Sequence, residues 1–212
     1  MLELLRAILD SVLPPRGEVE VARTLTPEAL ASYFHPVAVR EAWIIALFPY
    51  REEKVRALVR AVKFYGEQKP LRLLAGSAYG FLLELVADRR LLHGWNTPLL
   101  VPIPSSPARL KERGYNQTER IAAAFADAFG EAVLYAPRAL ARTDRKSQVR
   151  VPRKKRTENI RGAFYVPDEG AVRGRHVILL DDVVESGATM KDARRALTAA
   201  GALDVLGIAI AH

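Results

Sequence analysis

Two adjacent carboxylates, Asp181 and Asp182, follow directly on the apolar run 176–180 and precede Val183, Val184, Glu185, Ser186, Gly187, Ala188 and Thr189. Neighbouring carboxylates at a strand end repel each other unless a cation or a set of hydroxyl groups satisfies them. The small and hydroxyl-bearing residues 186–189 stand where a helix would begin. Backbone N–H groups left without intrahelical partners, together with the helix dipole, favour an anion such as a phosphate there. A ligand suited to both halves carries a phosphate on one side and vicinal hydroxyls, with Mg2+, on the other. A ribose 5-phosphate has that chemistry. Neither G-x-G-x-x-G nor G-x-x-x-x-G-K-[ST] occurs in the chain, so the nucleotide-binding loops built on them are unsupported.

The elements that must position this stretch are legible in the flanking sequence. Residues 176–180 are a continuous apolar strand, and a helix is expected from about 189 to 200, followed by a strand over 204–211. Upstream, 98–104 is an apolar run bounded by prolines, and 133–136 and 163–166 are short strand candidates. Asn116, with Glu119 three residues on, predicts a capped helix reaching about 129. Helices are also expected from 50 to about Tyr65 and from 71 to 92. Alternating strands and helices predict an α/β fold with a mainly parallel sheet flanked by helices. Residues 1–48 are read as a small, mostly helical, metal-free appendage, and 49–212 as the main domain. Leu2, Leu5, Leu9 and Val12 recur at helical spacing in that appendage.

The chain has 212 residues, half of them hydrophobic, which is ample for a buried core and excludes a disordered chain. It has no cysteine, which excludes disulfides, thiolate metal sites and cysteine nucleophiles. Its four histidines are scattered without ligand spacing. Charged residues break the apolar runs, so no membrane insertion is expected, and the chain is read as cytoplasmic. The net charge is +8, and residues 138–161 carry ten basic residues against two acidic ones, which accounts for the whole excess. This segment reads as a flexible basic loop for phosphates or a nucleic-acid backbone. No aromatic residue lies between Tyr135 and Phe164, so it lacks platforms for stacking bases.

The stretch VILLDDVVESGAT (177–189) closely resembles the PRPP-binding signature of class I phosphoribosyltransferases. Two further segments are similar to the ComF-like branch of that superfamily, which is associated with natural competence and DNA uptake. One is VPIPSSPARLKERGYNQTERIA (101–122), and the other is SQVRVPRKKRTENIRGAF (147–164). YREEKVRALVRAVKFYGE (50–67) also looks like that branch's helix ending in Lys-aromatic. Many ComF-like proteins carry an N-terminal four-cysteine zinc module, whereas this chain has the length of that region but none of its cysteines.

The resemblance implies transfer of phosphoribosyl from PRPP to a nitrogen acceptor with release of pyrophosphate. It implies that Asp181 and Asp182 hold the ribose hydroxyls and, indirectly, Mg2+. Val184, Glu185, Ser186, Gly187, Ala188 and Thr189 would wrap the 5-phosphate. Ser105, Ser106, Arg109 and Arg113 would meet pyrophosphate. Arg142 and Arg156, from the basic loop, would stabilise its leaving charge. Glu185 stands where the family more often has Thr. Its carboxylate is expected to face away from the phosphate and to hold or deprotonate the nucleophile. Single-stranded DNA along 138–161 and a second copy of the chain are the candidate macromolecular partners. Two other readings stay open: a non-catalytic PRPP- or nucleotide-binding competence protein that binds single-stranded DNA, and a purine-base salvage enzyme.

Overall fold

The computed structural model describes residues 16–65, 68–143 and 162–212. Its helices are α1 (Arg16–Thr24), α2 (Pro27–Ala31), α3 (Glu53–Arg60), α4 (Gln68–His93), α5 (Pro107–Arg113), α6 (Gln117–Phe129) and α7 (Ala188–Ala199). Its strands are β1 (Val37–Val39), β2 (Glu41–Phe48), β3 (Leu99–Pro102), β4 (Leu134–Tyr135), β5 (Ala141–Arg142), β6 (Phe164–Tyr165), β7 (His176–Val183) and β8 (Asp204–Ala211). Six strands form one sheet in the order β1-β2-β8-β7-β3-β4. Every neighbouring pair in it is parallel except β1–β2, which is antiparallel. This is the expected α/β architecture, a mostly parallel sheet flanked by helices.

The strands are apolar on both sides because both sides are covered. Leu100, Ile178, Leu180, Leu206, Ile208 and Ile210 point into the core shared with α3, α4 and α6. Their strand neighbours Leu99, Val101, Val177, Leu179, Val205 and Ala209 point into a second core under α7 and the β5–β6 pair. Each such side chain contributes roughly 1.5–3 kcal/mol on burial, so the two cores together fix which way every strand faces. Gly207 on β8 lets α7 approach closely, since a Cβ there would lie 3.1 Å from Met190 Sδ and from the Trp43 ring.

Among its described residues the stretch expected as an appendage over 1–48 is helical in α1 and α2, and its last part, β1 and β2, joins the main sheet. β2 pairs with β8 from Ile44↔Gly207 to Phe48↔Ala211, so 41–48 is an interior strand of the main sheet. The run AWIIALF lacks a period of two because both of its faces are covered. Periodicity alone cannot tell such a strand from a buried helical segment. Residues 1–15, with the amphipathic pattern at Leu2, Leu5, Leu9 and Val12, lie outside the described residues.

The first residues of the basic segment, 138–143, lie among the described ones. Ala139 and Leu140 are buried, and β5 pairs antiparallel with β6 (Ala141↔Tyr165, Arg142↔Phe164). The Thr143 N–H extends this ladder to Ala163 O at 2.8 Å. The expected helix ending near Tyr65 ends in one π-helical turn, Ala61–Tyr65. Helix α4 has an 18-residue window apolar enough to cross a membrane, but Leu71, Leu74, Ala75, Ala78, Leu82 and Val86 on it belong to the main core. Core packing accounts for its composition.

Candidate functional site

The carboxyl ends of β3 and β7 and the first turn of α7 lie at one end of the sheet, and the acidic pair stands among them. β7 extends through Val183, so Asp181 and Asp182 are strand residues, with Asp181 opposite Ala209 of β8. Asp181 Oδ1 accepts the Asp182 N–H at 2.9 Å, and Asp182 Oδ1 accepts the Val183 N–H at 2.8 Å. The outer oxygen of Asp182, Oδ2, faces Lys63 Nζ at 3.6 Å and accepts from Gln117 Nε2 at 3.3 Å.

These surroundings separate the two carboxyls. Burial, together with the adjacent Asp182 charge, pushes Asp181 well above the usual carboxylate range. Burial pushes Asp182 the same way, but the Lys63 ammonium and the hydrogen bonds from Val183 N–H and Gln117 outweigh it and hold Asp182 low. The pair thus keeps one proton more readily than two independent carboxyls would.

Sequence reasoning did not connect Lys63 or Gln117 to the pair. Lys63 sits in the π-helical turn, a helix irregularity frequent at functional sites. Tyr115 Oη donates to Lys63 O at 3.1 Å, which ties this turn to the segment carrying Gln117. Gln117 is 3% exposed despite its polar side chain. The sequence signal at Gln117 is its place in the ComF-like segment 101–122, one residue after the Asn116 cap.

Residues 184–189 divide into an anchor and a cradle. The Val184 N–H is taken by Ala211 O at 2.9 Å, and its carbonyl is bonded to His212 Nδ1 at 2.8 Å. Val184 thus fastens the loop to β8, with its backbone N–H and carbonyl both engaged. Since a carbonyl only accepts, His212 carries its proton on Nδ1, and the neutral ring has Nε2 as an acceptor. Gly187 is the N-cap of α7 at φ +72, and a Cβ there would meet Ile44 Cδ1 at 3.2 Å. Its left-handed backbone and this close approach both require glycine. Ser186 Oγ accepts the Ala188 N–H at 3.4 Å, and Glu185 is exposed. With Thr189 in its first turn, α7 begins at the cradle with the positive end of its dipole.

The residues expected to meet pyrophosphate lie at the turn after β3 and on α5. Ser106 is the N-cap of α5, its Oγ accepting the Arg109 N–H at 3.3 Å. Ser105 Oγ bonds to Asn116 Oδ1 at 3.0 Å. Asn116 also caps α6 through the Thr118 N–H at 3.2 Å and donates to Ile103 O at 3.4 Å. Ser105 thus ties the β3 turn to the start of α6, and Ser106 caps α5. Arg113 lies in α5, and its side chain is outside the described set.

Arg142 stands within the electrostatic reach of Arg109. Arg142 lies half-buried on β5, its guanidinium 5.2 Å from the Phe164 ring centroid. Burial lowers its pKa first and the Arg109 charge second, against the favourable fields of Asp181 and Asp192. A guanidinium stays charged under such pressure, so Arg142 keeps its charge within reach of Arg109 and of Asp181. That arrangement is built for an anion with several charges. Arg156, the other expected catalytic cation, lies outside the described residues, as do Arg145, Lys146 and Arg150.

The donor set also suits a hard divalent cation. Asp181 and Asp182 offer carboxylate oxygens, and among the described residues no cluster of three His, Cys, Asp or Glu forms a closed cage. Mg2+ is typically held by one or two carboxylates together with substrate phosphates, which fits an open acidic pair.

Residues 114–212 match the family model of the phosphoribosyl transferase domain. The match spans just under half of the chain and takes in the acidic pair, the α7 cradle, the β5–β6 pair and the Asn116–Gln117 corner. It supports the class I phosphoribosyltransferase superfamily. Similar solved structures include glutamine phosphoribosylpyrophosphate amidotransferase from B. subtilis, at 18% identity and a TM-score of 0.39, over 67% of this chain and 28% of that one. Phosphoribosylpyrophosphate synthetase from Mycobacterium smegmatis is 20% identical with a TM-score of 0.38, over 63% of this chain and 33% of its own. Hypoxanthine phosphoribosyl transferase from Trypanosoma cruzi is 10% identical with a TM-score of 0.43, over 65% and 64% of the two chains. The chain thus spans about a third or less of the first two proteins. No curated protein matches it.

Proposed function

We propose that the chain binds PRPP and transfers its phosphoribosyl group to a nitrogen acceptor, with pyrophosphate as the leaving group. The convergence of the acidic pair, the α7 cradle and the Arg109–Arg142 pair at one end of the sheet is the observation that carries this reading. The three elements match the three parts of the ligand: ribose diol, 5-phosphate and pyrophosphate.

In this mechanism Asp181 and Asp182 accept from the ribose hydroxyls and fix the ring. Backbone N–H groups of 186–189 hold the 5-phosphate at the start of α7. The C1–O bond to pyrophosphate breaks as a bond forms from the acceptor nitrogen to C1, so positive charge gathers on the ribose and negative charge on the leaving group. Arg109 and Arg142 meet that negative charge. The proton released by the acceptor passes to a nearby base, for which the exposed Glu185 carboxylate and His212 Nε2 are the candidates at this edge. Bound Mg2+, held by the acidic pair and the ligand's oxygens, would supply further neutralisation of the pyrophosphate.

The ComF-type motifs at 50–67, 101–122 and 147–164 support a place in DNA uptake, with single-stranded DNA as the partner of the basic segment. Incubating the protein with PRPP, Mg2+ and a panel of nitrogen acceptors, purine bases among them, tests the reaction through acceptor-dependent pyrophosphate release. Release with one acceptor class identifies the substrate. Intact PRPP binding without release from any acceptor would favour the non-catalytic binding protein instead.

A further inference from the structure

Asp192 is a buried carboxylate that the mechanism above does not use. It lies on α7, one turn beyond the cradle, and is 5% exposed. A charge this buried persists only where its oxygens are hydrogen-bonded. Here Oδ1 accepts the Gly162 N–H and Oδ2 the Ala163 N–H, each at 2.8 Å. Arg195 adds Nε and Nη2 to Oδ1 at 3.1 and 3.0 Å. One side chain thus grips two successive peptide groups thirty residues upstream.

Those peptide groups lead into the pair that presents Arg142. Ala163 O accepts the Thr143 N–H, Phe164 pairs with Arg142 across β5–β6, and the Arg142 guanidinium stands over the Phe164 ring. α7 also starts at the phosphate cradle. Asp192 is therefore the link between the element for the 5-phosphate and the element for the leaving group. Packing alone asks for no buried charge at this place. Gripping two N–H groups in a fixed geometry does, because a carboxylate accepts on both oxygens and an amide on only one.

We propose that Asp192 is a positioning residue that fixes Arg142 over the pyrophosphate end of the site by holding Gly162 and Ala163 against α7. The inference rests on the PRPP reading for its ligand, and on the hydrogen-bond geometry alone for the placement of Arg142. Asp192→Asn keeps the shape but replaces one acceptor with an NH2 group facing a backbone N–H.

The test compares titrations of PRPP, inorganic pyrophosphate and ribose 5-phosphate in wild type, Asp192→Asn, Arg142→Met and the double variant. The Arg142 side-chain 15Nε–1H signal, assigned by its loss in Arg142→Lys, is followed in the same set. PRPP and pyrophosphate are expected to weaken about tenfold in Asp192→Asn, the scale of one lost charge-assisted hydrogen bond. Ribose 5-phosphate affinity is expected to be unchanged, and the double variant no weaker than Arg142→Met. The Arg142 signal is expected to shift in Asp192→Asn without any ligand. Equal losses for PRPP and ribose 5-phosphate, additive effects in the double variant, or an unmoved Arg142 signal would overturn the proposal. If wild type binds none of the three ligands the PRPP reading fails, and the unliganded Arg142 signal still decides whether Asp192 places Arg142. Should Asp192→Asn not fold, Gly162→Ala loosens the same grip from the other side, at a residue with φ +77, and the same outcomes apply.

Discussion

Arg142→Met is expected to lower PRPP consumption by a factor on the order of 10²–10³, the usual cost of removing one placed donor from a developing charge. Arg142 feels the charges of both Arg109 and Asp181, so it stands within reach of the acidic pair. Methionine keeps the apolar stem against Phe164 and gives up the cation–π contact, a loss of about 0.5–1 kcal/mol at most exposed sites. The melting temperature should therefore move by only a few degrees. Ribose 5-phosphate, which has no pyrophosphate, should bind the variant as well as wild type. Parallel losses for both ligands would mean that Arg142 supports the fold and not the leaving group.

Asp181→Asn is expected to stabilise the unliganded protein while abolishing PRPP binding. Asp181 has a folded-state pKa well above its unfolded value, so the native state binds more protons between the two. Stability then falls as pH rises from the unfolded value, near 3.9, through the folded one. Asparagine removes that slope. The gain over wild type should be small at low pH and grow to about 1 kcal/mol as pH climbs past the folded value, in the range typical of relieved functional strain. Asp182 behaves oppositely. Its lowered pKa, set by Lys63 and the hydrogen bonds from Val183 and Gln117 against burial, gives stability above its unfolded value that is lost as pH falls through the folded one. Asp182→Asn should therefore destabilise at neutral pH, where it leaves Lys63 facing a neutral partner. Thermal melts of both variants from pH 4 to 9 check the two signs, and Asp181→Asn melting below wild type at neutral pH would refute the assignment.

The parts of this molecule written contiguously in the chain were legible, and those written across it were not. Strand β7, the acidic pair and the start of α7 are consecutive, so residue type and order were enough to place them. Asn116 was legible as a cap because capping is local. β2 was not, since its partner β8 lies 163 positions on (Ile44↔Gly207) and burial on both faces erased its alternation. β6 falls within the strand expected over 163–166, but its partner β5 is two residues long, too short for any period to show. Lys63 and Gln117 stand in stretches that resemble ComF-like segments, but nothing in those stretches joins them to the acidic pair, and Asp192 reads as an ordinary polar helix residue. Only the fold brings Lys63 to Asp182 and Asp192 to Gly162. Ser105 and Ser106 show the ambiguity of residue type. A hydroxyl after a strand suits an anion site and a helix cap equally well, and here capping and the Asn116 corner use both.

Calorimetric titration of PRPP into wild type and into Asp181→Asn/Asp182→Asn, with and without Mg2+, tests the central claim most directly. The predicted result is binding by wild type with a Kd on the order of micromolar, dependent on Mg2+, and no binding by the double variant. PRPP binding that survives loss of both carboxylates, or no binding by wild type in either condition, would contradict it.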